Sequence, residues 1–253
     1  MSDADWGELD AAVDDLERRG GQARFWWRDD DAIEDTAALR RLVDLARRFR
    51  VPILLAVVPA RARPNLAALL DGTDTLVPAV HGFAHVNHAE PGEKKQELGE
   101  HRDMAVVLNE LSLGRDRLAD MLGERLAPVL VPPWNRIAPR IAACLPDIGF
   151  EGLSAFGPEE ATGPVAGLNV VNSHLDPIDW HGSRSLGDAG AMIGLAAAHV
   201  RRCAHDECRG AFGILTHHLV HDDAIWAFVE ALLARTTDRP GVRWSGPRCL
   251  FGR

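Results

Sequence analysis

The sequence predicts an α/β fold in which mostly parallel strands alternate with helices. Three observations lead there. Residues 51–59, VPILLAVVP, form a continuous apolar run of strand length, as expected for a strand buried on both faces. Residues 36–50 carry apolar side chains at helical spacing (Leu39, Leu42, Val43, Leu45, Ala46, Phe49). Further segments of both kinds follow in alternation, and polar residues gather where the strands end.

Taken in order, the chain opens on an amphipathic helical extension over 1–23. A β-type run at 24–28 ends in acids, followed by the helix at 36–50 and the strand at 51–59. A short helix with proline in its first turn is expected at 64–70 and a strand at 75–80. Residues 94–122 read as largely helical, with an interruption near Gly114. A strand at 128–131 is stopped by Pro132-Pro133, and a helix at 137–145 ends near Gly149. Strands at 152–156 and 168–173, a helix at 187–203, a strand at 211–216, a helix at 222–235 and a strand at 242–244 complete the pattern. Seven or eight β segments in 253 residues suit one domain spanning 1–253 with a parallel sheet.

Composition narrows the function classes. Hydrophobic residues make up 46% and charged residues 26%, ordinary values for a globular protein. Lys+Arg 28 against Asp+Glu 37 leaves a net charge of −9, which argues against a nucleic-acid surface and for an enzyme or small-ligand protein. No run approaches the ~18 apolar residues of a membrane span. The acidic opening Met1-Ser2-Asp3-Ala4-Asp5-Trp6 lacks a basic segment followed by an apolar core. The four cysteines (Cys144, Cys203, Cys208, Cys249) lack zinc-knuckle spacing and read as free thiols, giving the expectation of a cytoplasmic protein.

The strand ends carry the chemistry. The first ends in Asp29-Asp30-Asp31, the third in His81-Gly82-Phe83-Ala84-His85-Val86-Asn87-His88 and the fourth in Pro132-Pro133-Trp134-Asn135-Arg136. Later ends are His174-Leu175-Asp176-Pro177-Ile178-Asp179-Trp180-His181 and Thr216-His217-His218 with His221 beyond. Of 11 histidines, 8 fall in these three histidine-bearing segments, a concentration that scattered surface histidines would not produce. If the chain turns helical after the third strand, His81 and His85 at i, i+4 face one ion, and a carboxylate from the first strand completes a His2Asp set. Such a set leaves open positions for water and substrate. A second carboxylate can then act as base and a histidine on the opposite wall as acid.

These segments, in this order, resemble the polysaccharide deacetylase family over about residues 24–220. Trp27-Arg28-Asp29-Asp30 looks like that family's Thr-Phe-Asp-Asp motif, which implies Asp29 as base and Asp30 as metal ligand. His81-Gly82-Phe83-Ala84-His85 is similar to His-Ser/Thr-x-x-His, implying His81 and His85 as the other ligands. Val131-Pro132-Pro133-Trp134-Asn135 stands where the family has Arg-Pro-Pro-x-Gly. Asp176-Pro177-Ile178-Asp179-Trp180 matches Asp-x-x-Asp-Trp and brings Asp179 into the catalytic set. Leu215-Thr216-His217 matches Leu-x-His and makes His217 the general acid. The resemblance implies a distorted (β/α) barrel of seven or eight mostly parallel strands.

It also implies hydrolysis of an acyl group, most simply N-acetyl, from a sugar or glycan precursor. A non-sugar linear or cyclic amide, or a catalytically weak carbohydrate-binding role, is the alternative. The expected cofactor is a divalent ion, zinc first, with cobalt, nickel, manganese and iron open to a His2Asp set. Trp180 and Leu215 are expected to line an acyl pocket, with Trp134 as a flat platform and His88 and His218 as substrate contacts.

Four departures leave choices open. Val131 replaces the motif arginine, which leaves Arg28 and Arg136, neither at the family's spacing, as candidates for that charge and the orientation of Asp29 open. Asp31 is a third acid, so roles within Asp29-Asp30-Asp31 can shift by one. His218 beside His217 offers a second candidate acid. His88 has no counterpart in the motif and can also be a fourth ligand or a surface residue.

Overall fold

A computed structural model describes residues 4–205, 207, 208 and 210–252. Its elements are α1 (Gly7–Arg18), β1 (Ala23–Ala32), α2 (Ala37–Phe49), β2 (Ile53–Val57), α3 (Pro64–Asp71), β3 (Leu76–His81), α4 (Met104–Leu122), β4 (Val129–Val131), α5 (Pro139–Ala142), β5 (Gly152–Leu153), α6 (Glu159–Thr162), β6 (Asn169–Val170), α7 (Ala189–Ala204), β7 (Phe212–Thr216), α8 (Asp223–Thr236), β8 (Val242–Trp244) and α9 (Pro247–Phe251).

The strands pair in the order β6-β5-β4-β3-β2-β1-β7, all parallel, and β8 pairs with the start of β1. The chain after β6 carries the sheet round to its other edge. Ser173 N–H donates to Ala155 O, His174 N–H to Gly213 O, and Leu215 N–H to Leu175 O (3.1, 2.7 and 2.7 Å). With β5 and β6 only two residues long, this side is irregular, and the result is the distorted parallel barrel the sequence implies.

Alternation along β1 sorts its side chains. Trp27 belongs to the large apolar cluster that includes the helices, whereas Trp26 packs with Leu54, Ala56, Val129 and Val131 in a second cluster inside the sheet's curve. Period two therefore places Asp29 outward with Trp27, and Arg28 and Asp30 inward with Trp26. β1 runs four residues past the expected 24–28, so the acids lie within the strand rather than after it.

The helices follow from local chemistry. Thr36 caps α2 by accepting Leu39 N–H at 3.1 Å, and Arg50 ends it in a left-handed turn. The expected 94–122 helix begins only at Met104, where Asp103 accepts Ala105 N–H at 2.8 Å. Residues 94–103 are not helical; Glu97 there is buried and its carboxylate bonds the backbone of 83–86 instead. Gly114 does not interrupt α4. It allows close packing, since a Cβ there would meet Pro59 at 3.0 Å and Phe83 at 3.2 Å. The N-terminal extension is bound to the domain through α1, whose Leu9, Ala12, Val13 and Leu16 are buried in the main core.

The free-thiol expectation is corrected for two cysteines. Cys203 lies in the last turn of α7, and Cys203 and Cys208 form a disulfide; Cys144 and Cys249 are free. Among the described residues no helix is long and apolar enough to cross a membrane.

Candidate active site

Parallel strands open their carboxyl ends on one face, and the polar motifs meet there. His81 ends β3 and is buried. Its Nδ1 lies 2.9 Å from the Val131 carbonyl of the neighbouring strand. A carbonyl only accepts, so Nδ1 carries the proton and Nε2 is directed into the site.

Asp31, not Asp30, is the acid brought to the histidines. Asp31 Oδ1 lies 3.3 Å from His81 Nε2 and 3.3 Å from His85 Nε2. Strict alternation would turn Asp31 outward with Asp29. Its φ of 70° and the register shift between β1 and β2 after Asp29 break that alternation and swing it to the histidines. Burial opposes ionisation of Asp31, but the His81 hydrogen bond and the charges of His81, His217 and His85 outweigh it and hold the carboxyl well below the usual range. Burial also opposes charge on His81, yet Asp30 and Asp31 raise its pKa; His85 is lowered, by burial and then by His81. One proton can serve only one of the two nitrogens facing Asp31 Oδ1, whereas a cation serves all three donors. The three ligand atoms lie within 4.8 Å of one another, and the set fits a borderline divalent ion.

The expected helix at 81–85 is not present. His85 sits in a loop with φ 59°, and Gly82 has φ 57°. Glu97 holds this loop, its carboxylate accepting from Phe83, Ala84 and Val86 N–H at 3.1, 2.8 and 3.3 Å. Nothing in the sequence marks Glu97, because its contacts depend on a loop whose path is set by tertiary packing. The His85 ring packs against Trp134, with centroids 4.3 Å apart.

Asp30 instead pairs with Arg28. Nε lies 3.0 Å from Oδ1, Nη2 donates to Oδ2 at 3.1 Å, and both residues are buried. Arg28 Nη1 donates to Ser154 O, Ser154 Oγ and Ala155 O (2.9, 2.9 and 2.8 Å), and Nη2 also donates to Asn135 Oδ1 at 2.5 Å. Trp134 and Asn135 are consecutive left-handed residues, which turns Asn135 to this contact. Arg28 is therefore the guanidinium that contacts Asp30, while Arg136 donates to Lys95 O at the surface.

Asp29 faces away from this chamber. Its Oδ1 lies 2.5 Å from His218 Nδ1, and its Oδ2 accepts from Thr216 Oγ1 at 2.6 Å and His218 N–H at 3.1 Å. Trp27 Nε1 donates to the same Thr216 hydroxyl at 2.8 Å. His218 is thereby buried with Asp29 rather than offered to a substrate.

His217 forms the opposite wall. Its Nδ1 is 3.9 Å from Asp176 Oδ2, its backbone N–H donates to His221 Nε2 at 3.2 Å, and Trp180 meets its ring edge-on at 4.8 Å. Trp180 Nε1 donates to Asp176 Oδ2 at 2.7 Å, and burial raises the Asp176 pKa despite the His217 charge. Asp176, rather than Asp179, is the acid beside His217. Asp179 accepts from Gly182 and Ser183 N–H, both at 2.9 Å, and shapes a surface turn. Leu215 is buried beside Arg28 across the β1–β7 pair. His88 lies past the His85 loop, its backbone N–H on Gln96 O at 3.0 Å, and is not brought into the His81–His85 group.

No protein-family model and no curated protein matches the chain. Solved structures do. A Mycobacterium smegmatis protein assigned to the polysaccharide deacetylases superposes with a TM-score of 0.65 at 14% identity, over 90% of this chain and 88% of that one. A peptidoglycan deacetylase from Bacillus subtilis gives 0.55 at 13% identity, over 92% and 91%. A family 4 acetyl xylan esterase from Clostridium thermocellum, solved with a cobalt ion, gives 0.52 at 15% identity, over 90% of each chain. The chain has the fold of the polysaccharide deacetylases.

Proposed function

We propose that this protein is a metal-dependent deacetylase of the polysaccharide deacetylase family, removing an N-acetyl group from a sugar or glycan precursor. The observation that carries this reading is the convergence of Asp31, His81 and His85 between two differently supported groups, Asp30 on Arg28 and His217 beside Asp176. The deacetylase and esterase descriptions of the similarly folded proteins support it, and the cobalt ion in one of them supports a divalent ion here.

Asp31, His81 and His85 would hold the ion, zinc first among those a His2Asp set accepts. A bound divalent ion supplies Lewis-acid polarisation of the acyl oxygen and eases ionisation of water. Arg28 keeps Asp30 oriented, so Asp30 accepts the proton of the attacking water as general base. His217 donates a proton to the departing amine, with Asp176 steering its Nδ1 side. Trp180 and Leu215 flank the acyl group, and Trp134 offers an aromatic face to the sugar.

Acetate release from a panel of N-acetylated sugars and oligosaccharides, set beside linear and cyclic amides, tests the reading with zinc- or cobalt-loaded protein. Release from the sugars is expected. Turnover of the amides alone would redirect the substrate assignment, and no release from any compound would refute the activity.

A further inference from the structure

A second group of metal-ligating side chains lies at the other end of the barrel. His199 and Cys203 are four residues apart on α7, and Cys208 follows in the turn before β7. His199 packs on Phe25, near the start of β1, and on Phe212, the first residue of β7, with centroids 5.7 and 5.4 Å away. These are amino-terminal strand ends, on the face away from Asp31 and His81.

His199 Nε2 lies 3.7 Å from Cys203 Sγ and 3.8 Å from Cys208 Sγ. A tetrahedral zinc, with bonds of about 2.3 Å to sulfur and 2.0–2.1 Å to nitrogen, sets its nitrogen and sulfur ligands about 3.6 Å apart and its two sulfurs about 3.8 Å apart, so the bonded sulfurs must separate on reduction before both can ligate. Nε2 is the ring nitrogen that faces both sulfurs. His199 and Cys203 are buried and Cys208 is half-buried, so the pocket is shielded yet reachable.

We propose that His199, Cys203 and Cys208 form a redox-gated site for a thiophilic divalent cation such as zinc, separate from the catalytic centre. The disulfide and the metal complex are alternative states of the same residues. A phosphine reductant with water cleaves the Cys203–Cys208 bond, giving two thiols and the phosphine oxide. Binding of the cation then displaces one proton from each thiol, and His199 Nε2 supplies the third donor. Held this way, the end of α7 is pinned to the start of β7 in reducing as well as oxidising surroundings.

The test uses metal-free full-length protein, reduced with a phosphine under anaerobic conditions and titrated with cobalt(II). A near-ultraviolet thiolate-to-cobalt charge-transfer band is expected in the wild type and in His81→Ala, but not in unreduced protein or in Cys208→Ser. Absence of the band in reduced wild type, or an equal band in Cys208→Ser, would overturn the proposal. Should Cys208→Ser fail to fold, alkylation of reduced wild type decides. Zinc should slow labelling of Cys208 by about tenfold or more while leaving exposed Cys249 unchanged, and equal Cys208 rates with and without zinc would refute the site.

Discussion

Arg28 and Asp30 stand two residues apart on β1 and form a buried ion pair, with Nε 3.0 Å from Oδ1 and Nη2 3.1 Å from Oδ2. This pair separates the roles of three consecutive aspartates. Asp30 is held inward by a guanidinium, Asp31 is turned to the histidines, and Asp29 is bound to His218 on the outer face.

Asp30→Asn should lower kcat by about 10²–10⁴-fold, the usual contribution of a general base, while metal content stays that of the wild type. Asp29→Ala should act on stability instead, costing about 1–3 kcal/mol for each buried hydrogen-bonding group it leaves unpaired on Thr216 and His218. Steady-state kinetics, metal analysis and urea unfolding separate the two. Full activity in Asp30→Asn would reassign the base.

Arg28→Met leaves Asp30 buried without its partner and should destabilise the fold by about 3–5 kcal/mol. Arg28→Lys should not restore activity, since an ammonium cannot reach Asp30, Asn135 and Ser154 together as the planar fork does. Comparing kcat/KM of the two variants checks this, and a Lys variant of wild-type activity would show that charge alone suffices.

Gly82→Ser restores the residue type of the family motif, yet it should be harmful here. A Cβ at Gly82 would lie 2.1 Å from Glu97 Oε2 and 2.5 Å from Pro133 Cγ, on a backbone with φ 57°. A loss of about 1–3 kcal/mol is expected from the overpacking, read as a lower Tm, together with weaker metal retention as the His85 loop shifts.

His221 is half-buried beside His217, and desolvation there lowers its pKa from 6.5 to about 4, with the charges of His217 and His218 adding to the effect and that of Asp29 opposing it. The folded state therefore favours neutral His221. Its contribution to stability is complete above pH 6.5 and is lost as pH falls towards about 4, because the unfolded chain takes the proton first. Urea midpoints of the metal-free protein should drop across that window. His221→Gln should flatten the slope, and an unchanged slope would remove His221 as its source.

Much of the scaffold was legible in the sequence. The apolar run at β2, the helical apolar spacing of α2 and the strand–helix alternation are local properties, and each appears near its expected place. Over 94–103 the helical composition is overridden by the demand of the 83–86 loop for a buried carboxylate. The Cys203–Cys208 pair was missed because spacing alone does not report a chain reversal.

By itself, the sequence determined the alternating parallel α/β scaffold, the face on which the polar residues meet, and His81 and His85 as an imidazole pair beside an aspartate of β1; the barrel came only with the family resemblance. Tertiary structure alone decided which aspartate that is, which acid accompanies His217, and which arginine pairs with Asp30. The reason is physical. Three adjacent carboxylates are chemically alike until strand alternation and one left-handed residue at Asp31 aim them differently. Arg28 meets Asn135 only because β1 and the turn after β4, 107 residues apart in the chain, are brought together by the sheet.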